Sequence, residues 1–100
     1  MRQTRQSTGG TSFFGTTIVA SLEELRQVLG KPIIEENDGR DKVNFEWEME
    51  TDSEDMFTVY DWKEYRPLSE TEEIEWHIGG FNKSATERAK VEIEEVRLTR

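Results

Sequence analysis

One hundred residues, 33% hydrophobic and 35% charged, fit one small domain with a thin core, and such a domain is expected to self-associate to bury more surface. The absence of cysteine excludes disulfides, thiolate metal sites and cysteine nucleophiles, and suits a reducing compartment. The net charge of −9 is uneven: residues 1–22 hold Arg2 and Arg5 and no acid, while the remainder holds 11 basic and 22 acidic side chains. An acidic body repels phosphate backbones, so direct nucleic-acid binding is not expected.

Residues 1–15 offer little to bury and read as a disordered tail, with Phe13-Phe14-Gly15 able to dock on the body or on a neighbour. A single domain then covers 16–100. Thr16-Thr17-Ile18-Val19 is β-branched and short, which predicts an edge strand at Thr17–Val19. Ser21-Leu22-Glu23-Glu24 is a capping box, and Leu22, Leu25, Val28 and Leu29 follow at helical spacing. Gly30 and Pro32 stop that helix, predicted over 21–30.

After a polar loop with a turn signal at Asp38-Gly39, residues 43–50 alternate strictly. Val43, Phe45, Trp47 and Met49 face one way, and Asn44, Glu46, Glu48 and Glu50 face the other. A return strand over 56–62 makes a hairpin, and Arg66-Pro67 leaves the sheet. A third strand is predicted over 74–78. Ser84-Ala85-Thr86-Glu87 is a second capping box, with Ala85, Ala89, Ile93 and Val96 on one face of a helix over 84–97. An alternative ends that helix near Lys90 and makes Val91–Leu98 a strand. The predicted fold is α+β: a three- to four-stranded antiparallel meander backed by two helices. No apolar run approaches the roughly 18 residues a membrane span needs, and no secretory pattern opens the chain, so a soluble cytoplasmic protein is expected.

Catalytic chemistry has little to stand on. His77 is the lone histidine, and neither a nucleophile elbow nor a phosphate loop is present. Glu46 and Glu48 share a strand face at about 7 Å, which suits a divalent cation or, more simply, water. Asp61 and His77 can form an acid–base dyad if their strands pair, although a structural hydrogen bond is the commoner arrangement. No enzyme activity and no cofactor are expected.

The stretch Tyr60-Asp61-Trp62-Lys63-Glu64-Tyr65-Arg66 carries more. Tyr60, Trp62 and Tyr65 offer faces on which a base can stack, Lys63 and Arg66 can hold phosphate, and Asp61 and His77 can orient hydroxyls. Gly79 and Gly80, ahead of the last helix, permit an anion-binding turn. The plainer reading is that these aromatics are strand formers and that Lys63 and Glu64 face water.

Phe57-Thr58-Val59-Tyr60-Asp61-Trp62-Lys63, followed after an acidic spacer by Trp76-His77-Ile78-Gly79-Gly80, resembles a group of small tailed-bacteriophage proteins of unassigned function. The resemblance spans roughly residues 43–96, and its spacer is richer in glutamate here. It implies a viral protein acting in the cytoplasm of an infected bacterium, in a class that often counters host defences. The functional expectation is a binding protein that sequesters a nucleotide-derived or phosphorylated small molecule. Two alternatives stay open: an acidic mimic of nucleic acid, using Glu46, Glu48, Glu50 and Glu70–Glu75 to occlude a host protein, and a structural or assembly protein of the virion.

Overall fold

In the computed structural model, which describes residues 1–99, the elements run β1 (Arg2–Gln3), β2 (Ser12–Ser21), α1 (Leu22–Leu29), β3 (Ile34–Glu35), β4 (Phe45–Glu50), β5 (Met56–Tyr60), β6 (Glu73–Gly80) and α2 (Lys83–Leu98). All strand pairs are antiparallel, in the order β1-β4-β5-β6-β2, with β3 sharing the outer edge of β4 with β1. This is the α+β meander backed by two helices that the hydrophobic periodicity predicts. Among the described residues no helix is long and apolar enough to cross a membrane.

Two cross-strand rows define the faces. Trp47, Val59 and Ile78 are register partners and are fully buried. Glu46, Tyr60 and His77, one residue along, are partners too and are only partly buried. Both helices lie over the first row, leaving the second row on an open face.

The core is built around two indoles, Trp47 and Trp76, whose rings meet edge to face at 5.6 Å. Each buried indole N–H needs an acceptor. Trp47 donates to the Gly30 carbonyl at 2.8 Å and Trp76 to the Ala20 carbonyl at 2.9 Å. The sheet thereby holds the chain on either side of α1.

Helix α1 begins as predicted, with the Ser21 hydroxyl accepting from the Glu24 amide and Glu24 reaching back. Gly30 ends it at φ +88°. Helix α2 starts one residue before the prediction because Asn82, rather than Ser84, accepts from the Ala85 amide at 2.8 Å. It continues unbroken to Leu98, so the alternative strand over 91–98 does not form. Arg97 joins the helices, reaching Glu24 at 3.1 Å and the Val19 carbonyl at 3.1 Å.

The N-terminal residues differ from expectation. Segment 1–15 is not a free tail: Arg2–Gln3 pairs with β4, and β2 already starts at Ser12. Backbone pairing along an open sheet edge and the Arg2–Glu50 ion pair, at 2.5 Å, supply what this segment lacks in apolar content. From β1 beside β4 to β2 beside β6, residues 4–11 cross the open face of the sheet, and the Thr4 amide bonds the Glu48 carbonyl on the way.

Candidate functional site

The open face gathers rings from three separated segments. Tyr60 and His77 sit opposite each other on β5 and β6, with ring centroids 5.5 Å apart. Phe13 arrives from β2 through an irregularity: between Phe13 and Thr17 that strand spends two more residues than β6, helped by Gly15 at φ +92°. The Phe13 ring thereby lands on His77 at 3.9 Å, tilted only 10°. Trp62, just past the end of β5, lies nearly parallel to His77 at 6.0 Å and edge-on to Tyr60 at 6.0 Å. Phe13 is 42% exposed and Trp62 39% exposed, so this shelf of rings faces outward.

Two ammonium groups flank the shelf. Lys42 Nζ lies 5.7 Å and Lys63 Nζ 5.6 Å from the Trp62 ring, within cation–π range. Neither pairs with a carboxylate among the described residues. The Lys63 amide donates to the Lys42 carbonyl at 2.8 Å, which brings the two stems together.

Beside the shelf is a cleft of about 380 Å³, walled by Thr8–Ser12 of the crossing segment on one side and by Glu46, Thr58, Tyr60 and Trp62 on the other. Gly79 belongs to its lining, and a Cβ there would meet Thr58 Oγ1 at 2.6 Å and approach Tyr60 at 3.6 Å. Burial pushes the Glu46 carboxyl above its usual range, and neighbouring Glu48 adds to the effect. Burial also raises the Tyr60 phenol, with Glu46 adding, and lowers the His77 imidazole against the opposing charge of Glu75. Stacked and partly dehydrated, His77 behaves as one more flat ring.

The remaining sequence candidates fall elsewhere. Asp61 is fully buried on the core side of Trp62 and forms no dyad with His77. Its carboxylate accepts from the Asn44 amide at 2.8 Å, the Phe45 amide at 2.9 Å and Asn44 Nδ2 at 2.9 Å. It stands in for the missing ladder partner at the start of β4, which is why β5 stops at Tyr60 rather than Trp62. Asn44 in turn accepts from the Gly39 amide and donates to the Arg66 carbonyl, locking loops 37–44 and 61–66 together.

Arg66 is held by Glu72 through two parallel bonds of 2.7 Å, with Glu64 at 3.6 Å, so its guanidinium is already occupied. Tyr65 points outward, 53% exposed, and has no ring contact with the shelf. Gly79 and Gly80 make no anion-binding turn, because both are paired in the ladders of β6. Gly80 serves helix packing instead: a Cβ there would meet Thr86 Cγ2 at 2.9 Å.

The fold thus unites Tyr60, Trp62, Lys63, His77 and Gly79 and leaves Asp61, Tyr65, Arg66 and Gly80 outside. It adds Phe13, Lys42 and Glu46. A signal for Phe13 existed in Phe13-Phe14-Gly15, an apolar pair before a glycine. Lys42 carried none, since its place depends on the clamp between two loops.

Among the described residues, no group of histidine and acidic side chains could hold a metal ion. A larger hollow of about 520 Å³ runs along α2 between Asp52 and Glu95, but it has no ring, and its one cation, Arg88, is bound by Asp55 at 2.7 Å. Several acids of the nucleic-acid-mimic alternative are also neutralised, since Glu50, Glu70 and Glu72 face Arg2, Arg26 and Arg66. Set against protein-family models, curated proteins and solved structures, the chain matches none.

Proposed function

We propose that this chain is a small non-enzymatic binding protein that captures a nucleotide-derived or other phosphorylated small molecule on the open face of its sheet. The observation that carries the reading is the shelf of Phe13, His77, Tyr60 and Trp62, with two ammonium groups at its edge that pair with no carboxylate among the described residues, and a cleft alongside. A flat heteroaromatic ring stacks on Trp62, while Lys42 and Lys63 neutralise the phosphate it carries. At about 380 Å³ the cleft falls at the lower end of small-molecule sites. Following the resemblance to tailed-phage proteins, the role is counter-defence: withholding such a molecule from the host.

Calorimetric titration against cyclic nucleotides, nucleoside monophosphates and ADP-ribose derivatives tests this. Saturable heat from at least one of them is expected. Exposed lysine–phosphate contacts are weak singly, so Lys42→Ala and Lys63→Ala should each weaken that binding about two- to fivefold. Silence across the whole panel would end the proposal.

A further inference from the structure

The cleft contains a carboxyl group that no donor among the described residues satisfies. The Glu46 carboxyl makes no hydrogen bond and no ion pair among the described residues, and its nearest charged strand neighbour on the same face is another acid, Glu48. It is half-buried against Tyr60, its register partner, within the cleft that Trp62 also lines. A partly dehydrated carboxylate without a donor is unfavourable, so a ligand that brings donors to it gains more than one that brings acceptors.

Building on the nucleotide-binding reading above, we infer that Glu46 makes the cleft selective for guanine among the common bases. The argument is one of donor pattern. A carboxylate offers two acceptor oxygens side by side. Guanine presents two adjacent donors, N1–H and the N2 amino group, and meets both oxygens at once. Adenine and cytosine each set a ring-nitrogen acceptor beside their amino group, which would face a carboxylate oxygen with repulsion. Uracil has a single N–H between two carbonyls. Stacking on Trp62 is available to all four bases and does not discriminate. The Glu46 contact does.

The test is calorimetric titration with GMP, AMP, CMP and UMP at one pH and ionic strength, on the native chain and on Glu46→Gln. Glutamine keeps the shape but replaces one acceptor with a donor. The native chain is expected to prefer GMP over AMP by roughly tenfold or more, the discrimination typical of a bidentate base contact. Glu46→Gln should lose most of that preference, mainly through weaker GMP binding, while its thermal unfolding stays cooperative. Equal affinity for GMP and AMP, or a preference that survives Glu46→Gln, overturns the guanine assignment and leaves nucleotide binding standing. No binding of any monophosphate by the native chain overturns the guanine assignment too. Nucleotide binding as such then falls only if the cyclic nucleotides and ADP-ribose derivatives are silent as well.

Discussion

At the scale of single residues, neighbours in sequence take opposite duties. Tyr60 and Trp62 face outward, while Asp61 between them is turned into the protein and satisfies three donors. Asp61→Ala would leave those donors buried and unpaired, and should lower stability by about 3 kcal/mol in urea unfolding. A loss within experimental error would mean that the clamp with Asn44 is not holding the loops. Glu46 and His77 set opposing pH trends. The folded Glu46 carboxyl lies above its ordinary 4.5, so its ionised form is disfavoured in the native state and stability is gained as pH falls through the folded value toward 4.5. Glu46→Gln should therefore raise the melting temperature at neutral pH, with the advantage fading as pH approaches 4.5. The folded His77 imidazole lies below its ordinary 6.5, so the unfolded chain takes up the proton first and stability is lost as pH falls below 6.5 toward the folded value. His77→Phe, which keeps a flat ring beside Phe13, should remove that slope from a series of thermal melts.

At the scale of elements, α1 and the β4–β5–β6 meander were legible because local signals agreed with tertiary ones. The capping box at Ser21 and the alternation from Val43 to Glu50 point to structures that packing then rewards. Replacing the Ser21 hydroxyl by Ser21→Ala should cost about 1 kcal/mol of stability, read from the denaturation midpoint. The Gly79-Gly80 pair was less legible. Glycine signals freedom of backbone or closeness of approach, and the sequence does not say which. Here Gly80 is a close approach, with Thr86 of α2 seated over it and hydrogen-bonded to Thr16 at 2.7 Å. Gly80→Ala should cost about 1–3 kcal/mol by overpacking. The start of β2 was missed because its pairing comes from β6, more than sixty residues away, and because uncharged, glycine-rich residues look like tail on local grounds.

At the scale of the whole molecule, the helices hide one face of the sheet and the chain leaves ring surface on the other. The sequence shows bulk on both sides of the middle strand, where Phe57 and Val59 alternate with Met56, Thr58 and Tyr60. It could not place Phe13 or Lys42 beside Trp62, since those neighbours come from the β2 irregularity and from loops clamped by Asn44 and Asp61. The same closure explains why Arg66, adjacent to the site in sequence, is spent on Glu72. Trp47 and Trp76 are fully buried, so Trp62 alone among the three tryptophans senses what touches the open face. The most direct measurement is therefore acrylamide quenching of tryptophan emission with and without a saturating phosphorylated nucleotide, in the native chain and in Trp62→Phe. Ligand should shield the native emission, and Trp62→Phe should show neither the accessible component nor the shielding. Unchanged quenching of Trp62 by a nucleotide that calorimetry shows to be bound would contradict the account, because the ligand would then sit somewhere other than the ring shelf.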